Sequence, residues 1–412
     1  MARQDSCRGC GHPLPPPFLD LGSTPLANSY ITPARAAEVE PRYPLAVSYC
    51  GTCHLVQLTH TVPPAEMFSE YLYFSSYSDT FLAHARHMAE DLTRDLGLGP
   101  KSLVLEVASN DGYLLQYFQR AGIRVLGVEP ARNIAREAER RGIPTLNRFF
   151  GPDLVREIVV EHGRADLLVG CNVLAHVPDV IPFLGAVRDC LGPDGLAVFE
   201  FPWVGALLEH VEFDTTYHEH VFYYSLAAVR RLAERAGLEV QSVAHQPVHG
   251  QSLRVALQEP GRRPTTSSVA EWLAHEDSLG LTGRARYDAF SDQVRALRKE
   301  LVDLLTGLRA AGKRIAGYGA PAKGNTLLNY CGIGTDVLGF TVDRSPHKQG
   351  HLLPGSRVPI RAPEALLAEM PDYALILPWN LADEIIAGNT EYLRRGGRFI
   401  IPVPRPREVG EP

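Results

Sequence analysis

Ser102-Leu103-Val104-Leu105-Glu106-Val107 is a short apolar run, and together with the residues directly after it this stretch limits the possible folds more than any other. The run gives way to Ala108-Ser109-Asn110-Asp111-Gly112, and then Tyr113-Leu114-Leu115-Gln116-Tyr117-Phe118 resumes with helical spacing. A buried strand, a small-residue turn and a helix make the first half of a βαβ unit, which implies a parallel sheet. A second apolar run, Arg124-Val125-Leu126-Gly127-Val128, closes on Glu129, roughly twenty residues after the turn. An acid there can accept hydrogen bonds from both hydroxyls of a ribose. The chain is therefore expected to be an α/β protein with a nucleoside-type ligand at the strand ends.

The turn is not a G-x-G-x-x-G dinucleotide loop, since Gly112 is its one glycine. Glu106 at the strand end would repel phosphates and attract a cationic ligand. Together these features favour S-adenosylmethionine over NAD. Glu106 would face the amino end of the methionine moiety and Glu129 the ribose, with Ala108, Asn110, Asp111 and Gly112 shaping the loop. The run Ala165 to Cys171 reads as another buried strand, leaving through Asn172 and the loop Val173 to Pro178. Ligands of open α/β sheets lie beyond the carboxyl ends of strands. Asn172 is thus expected at the cofactor, and His176 is either a pocket residue or a structural histidine.

At 412 residues the chain calls for two or three domains. Net charge of −6 argues against a general nucleic-acid binder. No run of about 18 apolar residues is present, so no membrane span is expected. The first residues lack a secretory apolar stretch, and the expected location is cytoplasmic. Four of seven cysteines fall in two C-x-x-C turns, Cys7 with Cys10 and Cys50 with Cys53. Two such turns can complete a tetrahedral zinc site. With all four ligands thiolates there is no open position, so the expected zinc is structural. His12 and His54 adjoin the turns as bystanders, and Cys171, Cys190 and Cys331 read as buried small hydrophobes. The tyrosine-dense segment 68–77 reads first as packing, with hydroxyls that can reach a neighbouring site.

Further on stands Phe213-Asp214-Thr215-Thr216-Tyr217-His218-Glu219-His220-Val221-Phe222-Tyr223-Tyr224-Ser225. The two histidines are two apart, which does not match the H-E-x-x-H pattern of zinc hydrolases. Imidazole beside carboxylate suits general acid–base work instead. The C-x-x-C pairs, E-V-A-S-N-D-G, N-V-L-A-H-V-P, the 213–225 segment and Val248-His249-Gly250-Gln251-Ser252-Leu253-Arg254 succeed one another in a familiar order. Along essentially its full length the chain resembles the nucleotide-sugar C-methyltransferases, and in particular the 3-C-methyltransferases of antibiotic deoxysugars. The resemblance implies three parts: a zinc-binding knuckle over 1–65, a class I S-adenosylmethionine-dependent methyltransferase domain of Rossmann-like form over 66–260, and a second Rossmann-like α/β domain over 261–412. It implies methyl transfer to a carbon beside the ketone of a 4-keto-deoxysugar, with a dTDP-linked sugar as the expected partner. By the same resemblance His220 is the base, Glu219 and Tyr217 orient it or share its proton, and Tyr73 and His176 line the pocket beside an enolate oxygen. Two positions depart from the pattern. His218 stands where some relatives carry aspartate, and Gln251 stands where a second glycine is frequent.

A long helix is expected from about Arg284 to Ala311. Beyond it Arg314-Ile315-Ala316-Gly317-Tyr318-Gly319-Ala320-Pro321-Ala322-Lys323-Gly324 looks like a second strand–turn–helix, and Val337 to Val342 ends in Asp343. Taken alone, Gly317, Gly319 and Asp343 permit an NAD-dependent sugar oxidoreductase as the alternative. Lys323 and the backbone N–H groups at the helix start suit a diphosphate. The resemblance gives this domain the nucleotide half of the acceptor, with Lys323, Asn325, Tyr318 and Arg254 as contacts and Lys348 and Trp379 as weaker ones.

Overall fold

The computed structural model describes residues 2–68, 76, 79–247 and 251–410. Tyr73, most of the tyrosine-dense segment, and Val248, His249 and Gly250 lie outside the described residues.

Three larger sheets organise the described residues, beside a two-stranded pairing of 2–3 with 60–61. The central sheet has seven strands in the spatial order 239–246, 252–258, 191–202, 165–171, 103–107, 124–128, 145–146. Numbered within this unit, the order is 6-7-5-4-1-2-3, with the 252–258 strand antiparallel to both neighbours and the remaining pairs parallel. Leu103–Val107 is buried along its whole length, as a parallel strand covered on both faces must be. The strand order reverses between 103–107 and 165–171, and that is where an open α/β sheet leaves a crevice.

The C-terminal sheet repeats this logic with six strands in the order 360–361, 338–342, 315–318, 373–376, 398–401, 407–409. Its internal order is 3-2-1-4-5-6, parallel except for the last strand. This is the arrangement of a doubly wound nucleotide-binding sheet. Its reversal falls between 315–318 and 373–376.

The helix Arg284–Ala310 precedes this sheet and buries Tyr287, Phe290, Val294, Leu297, Leu301 and Leu305, a single stripe at three- and four-residue spacing. Tyr287 stacks on Tyr49 at 4.4 Å and lies 5.3 Å from Phe18, so the helix docks on the N-terminal unit.

That unit is built on a four-stranded antiparallel sheet: 19–24, 43–49 and 56–58, completed by Phe222–Tyr223. The fourth strand comes from the Tyr217–His220 region, with Phe222 opposite Gln57 and Tyr223 opposite Val56. One continuous apolar core runs from this sheet through the central unit to the C-terminal helices.

Candidate active site

Left-handed backbone clusters at the switch point of the central sheet: Ala108 (φ 54°), Asn110 (φ 49°), Gly112 (φ 79°) and Asn172 (φ 55°). For Ala108 this costs about 1–2 kcal/mol, while asparagine and glycine tolerate it better. Strain of this kind persists where the surroundings fix it, and it concentrates at ligand sites. A side chain at Gly112 is excluded on contact grounds too, because its Cβ would stand 2.7 Å from Cγ1 of Ile143.

Around this loop the carboxyl groups gather. Glu129 accepts from the backbone N–H of Asn110 at 3.0 Å and of Ala131 at 2.8 Å, one on each oxygen. Burial outweighs both donors and pushes its pKa up to about 7. Glu106 is fully buried, and burial drives it well above the ordinary carboxylate range; Tyr113 offsets part of this, while Glu129 and Asp111 add to it. Asp111 is buried with Oδ2 3.0 Å from the Arg141 guanidinium. The Oδ1 of Asn172 and the Oγ of Ser109 are buried without a hydrogen-bond partner among the described residues. Acidic groups converging with unspent polar atoms on a strained loop fit a ligand that is cationic at one end and rich in hydroxyls at the other.

The Tyr217–His220 segment is neither helix nor strand but a tight turn, closed by His220 N–H to the Tyr217 carbonyl at 2.9 Å. A turn sends successive side chains in different directions, and the segment divides accordingly. Tyr217 and His220 come together, hydroxyl to Nε2 at 2.9 Å. The other ring nitrogen, Nδ1, lies 3.0 Å from the Thr215 carbonyl. A carbonyl only accepts, so the proton sits on Nδ1, and Nε2 is the basic lone pair receiving the Tyr217 hydroxyl. Burial, reinforced by His176 and Lys323 and opposed by the Thr215 carbonyl, pushes His220 down to about 3, so the ring is neutral.

His176 stands 5.0 Å away, ring to ring. Its Nδ1–H donates to the Glu219 carbonyl at 2.8 Å, and burial brings its pKa to about 4. His218 points the other way, with Nε2 3.2 Å from the Tyr43 carbonyl, and belongs to the packing of the N-terminal sheet.

Three units meet at this turn. From the N-terminal unit, Asn28 Nδ2 donates to Glu219 Oε1 at 2.6 Å, and the Tyr30 hydroxyl donates to the Ala320 carbonyl at 2.6 Å. From the C-terminal unit come Lys323 and Trp379, which succeed the two strands at that sheet's own switch point. Lys323 Nζ lies 4.4 Å above the Trp379 ring and 2.9 Å from Asn380 Oδ1. Lys348 donates to the same Ala320 carbonyl at 2.8 Å. Asp343 accepts from the backbone of Ala320 and Ser345, pinning its loop as Glu129 pins the Ala108–Gly112 loop.

The other expected acceptor contacts sit elsewhere. Asn325 is buried, donating to the Ala27 carbonyl at 2.6 Å, and the Tyr318 hydroxyl accepts from Asn389 inside the C-terminal core. Arg254 lies in the central sheet, on a different sheet from Lys323, with its guanidinium 3.0 Å from the buried carboxylate of Glu200.

The four cysteine sulfurs of the N-terminal unit lie within 4.8 Å of one another, with Cys7–Cys53 and Cys10–Cys50 each at 3.5 Å. A tetrahedron with zinc–sulfur bonds of about 2.3 Å has edges of about 3.8 Å, so the donor set fits zinc with every position filled by protein. The two turns match bond for bond: Gly11 N–H to Cys7 O and His54 N–H to Cys50 O, both 2.8 Å, with left-handed backbone at Gly11 and His54. From within the first turn, Arg8 reaches out to the Pro178 carbonyl at 3.1 Å, two residues beyond His176.

Three family models cover this chain. One described as "C-methyltransferase C-terminal domain" matches residues 247–404, one described as "Putative zinc binding domain" matches 7–68, and one described as "Methyltransferase domain" matches 81–243. The C-methyltransferase NovU of Streptomyces niveus is 40% identical over 98% of this chain and 97% of its own length. The chain belongs to the S-adenosylmethionine-dependent C-methyltransferases of the NovU type. A ubiquinone biosynthesis O-methyltransferase from Methylobacterium sp. (strain 4-46) is 30% identical over 28% of this chain and 46% of its own length. A solved magnesium protoporphyrin IX methyltransferase from Synechocystis PCC 6803, with bound SAH, aligns at TM-score 0.34 and 15% identity over 43% of this chain and 83% of that one.

As a C-methyltransferase, the chain has S-adenosylmethionine as methyl donor and a structural zinc ion. The oxidoreductase alternative drawn from Gly317, Gly319 and Asp343 gives way to this family. Among the described residues, no helix is long and apolar enough to cross a membrane. Asn28, Tyr30 and Asp214 were not reached by sequence reasoning, because each enters the site through a contact with a residue far along the chain. Only Asp214 had a local signal, its place inside the F-D-T-T-Y-H-E-H run.

Proposed function

We propose that this C-methyltransferase methylates the carbon alpha to the ketone of a nucleotide-linked 4-keto-deoxysugar through an enolate. One observation carries the reading. A neutral His220 with Nε2 as its basic nitrogen sits beside Tyr217, at a turn reached from the switch point of the central sheet by His176 and from that of the C-terminal sheet by Lys323. An acceptor with its anionic end near Lys323 and its ketone near His220 would span the gap between two ligand-binding sheets. Bound at the Ala108–Gly112 loop, S-adenosylmethionine supplies an electrophilic methyl group and leaves as its neutral thioether.

The residues of the chain do the rest. Glu129 holds the ribose, and Glu106 and Asp111 favour the cationic end of the cofactor. His220 Nε2 takes the proton alpha to the ketone, and Tyr217, displaced from that nitrogen, donates its hydroxyl to the enolate oxygen. An anion paired with Lys323 offsets the positive charge that helps depress His220, so the acceptor strengthens its own base. His176 keeps its Nδ1–H on the Glu219 carbonyl and is neutral. Its Nε2 is therefore an acceptor, suited to a sugar hydroxyl rather than to an enolate oxygen. Tyr73 retains its proposed place in the pocket wall.

Mass spectrometry with dTDP-4-keto-deoxysugars tests the reading in two steps. With S-adenosylmethionine, one methyl should appear on a sugar carbon. With S-adenosylhomocysteine in deuterated water, the alpha proton should exchange, and His220→Ala should abolish both while the protein still binds S-adenosylhomocysteine. Methyl gain on oxygen, or exchange that survives His220→Ala, overturns it.

A further inference from the structure

The short 3-10 turn Phe213–Thr215 stands immediately before Tyr217 and His220, and the C-terminal unit grips it. Asp214 is fully buried, and its Oδ2 accepts the indole N–H of Trp379 at 2.7 Å. Phe213 packs on Tyr330 with ring centroids 5.3 Å apart. The next residue, Thr215, supplies the carbonyl that fixes the proton of His220 on Nδ1. Lys323 Nζ lies over the same indole ring. Contacts therefore run without a break from Lys323 through Trp379, Asp214 and Thr215 to the imidazole.

A carboxyl group is an expensive anchor for an indole. The Oδ1 of Asp214 is buried with no hydrogen-bond partner among the described residues. Burial pushes the group up to about 7, opposed by Lys323 and by the Trp379 hydrogen bond and assisted by Glu212. An apolar contact would dock the two units without desolvating an acid, since buried polar groups left half satisfied cost stability. What an acid adds is a short, directional link between a C-terminal side chain and the backbone that sets the tautomer of His220.

We infer that Asp214 is a positioning residue, carrying the seating of Trp379 to the Thr215 carbonyl and so holding His220 with its lone pair on Nε2. This rests on the reading of His220 as the base. The base would then be competent only when the C-terminal unit, with its acceptor-facing Lys323, is seated against the turn.

The test uses the full chain with zinc bound and with 15N-labelled histidine, in complex with S-adenosylhomocysteine. His220 is assigned by the signal lost in His220→Gln. In the unsubstituted protein at neutral pH, its two nitrogen shifts should report the Nδ1–H tautomer alone. Trp379→Phe keeps the ring beneath Lys323 but removes the donor, and Asp214→Leu keeps the approximate volume but removes the acceptor. In each variant both shifts should move at least a tenth of the way toward the opposite tautomer. Affinity for S-adenosylhomocysteine should stay within twofold, and kcat on an accepted dTDP-4-keto-deoxysugar should fall at least in proportion to the Nδ1–H tautomer lost, with KM little changed. If Asp214→Leu does not melt as a folded protein, Trp379→Phe decides alone. Unmoved shifts in the folded variants overturn the inference. Because the tautomer needs no acceptor, failure of the base assignment shows separately, as turnover that survives in His220→Gln.

Discussion

Replacing Arg254 tests whether this residue is structural or a contact for the acceptor. Glu200 is 2% exposed at its side chain, and its Oε2 is held by Arg254 Nε at 3.1 Å and by the same guanidinium at 3.0 Å. Its Oε1 accepts from His84 Nε2 at 2.7 Å. Arg254→Met keeps most of the aliphatic stem and strips Oε2 of its only charged partner among the described residues. Breaking a buried pair from one side costs about 3–5 kcal/mol, and because His84 remains the lower figure applies. At about 2–4 °C per kcal/mol, the melting temperature of the central unit should drop by about 6–12 °C.

Burial works against the charge on Glu200, but His84 and Arg254 prevail and hold its carboxyl below the usual range. A carboxylate with a depressed folded pKa contributes stability that is full above its unfolded value of about 4.3 and is lost as pH falls through the folded value. In Arg254→Met burial is less opposed and the carboxyl takes up a proton at higher pH. The deficit should therefore be largest near neutral pH and shrink toward acid. Denaturant melts across pH 5 to 8 measure this, and Glu200→Gln combined with Arg254→Met should recover most of the loss. An unchanged melt with a raised KM for the acceptor would refute the ion-pair account and return Arg254 to the substrate.

Other perturbations give separate expectations. Glu129→Gln should weaken S-adenosylhomocysteine by about 10–100-fold in calorimetric titration, the worth of a hydrogen bond to a charged group. The unsubstituted protein should bind more weakly as pH falls below about 7, where Glu129 protonates, and the variant should lack that limb. Cys53→Ser, or a strong chelator, should remove the zinc measured by elemental analysis. It should also abolish methyl transfer, because the N-terminal unit carries Asn28 and its sheet pairs with Phe222–Tyr223. Gln251 has left-handed backbone at φ 85°, so Gln251→Gly should leave the melting temperature unchanged or raise it by the equivalent of about 1 kcal/mol. A clear loss of stability there would mean that the Gln251 side chain supplies a contact worth more than the strain.

Much of the site could be read from sequence because its signals are local. Strand, turn and acid lie within thirty residues of one another in the cofactor loop, and the two cysteine turns share one geometry. The resemblance marks position 251 as one where glycine is frequent, and the left-handed backbone of Gln251 gives the physical reason. What escaped were the links between units. Asn28 meets Glu219 across 191 residues, Trp379 meets Asp214 across 165, and Tyr30 meets Ala320 across 290. No periodicity or spacing encodes such pairs, because they form only when three separately patterned units dock. The run Tyr217-His218-Glu219-His220 misleads for a related reason. Adjacent in sequence, its side chains are distributed by the turn to different neighbours, and only Tyr217 and His220 act on each other.

The strand Phe222–Tyr223 has a consequence for biosynthesis. The three earlier strands of the N-terminal sheet leave the ribosome together, but the edge at Val56–Leu58 gains its partner only after more than 160 further residues. At synthesis rates of about 5–20 residues per second, that edge stays open for roughly ten to thirty seconds. Metal loading at the cysteine turns can precede the completed sheet, which makes the nascent N-terminal unit a template onto which the residues after the Tyr217–His220 turn are laid. A chimera that joins the zinc unit of one relative to the remainder of another would have to match this strand as well as the visible boundary.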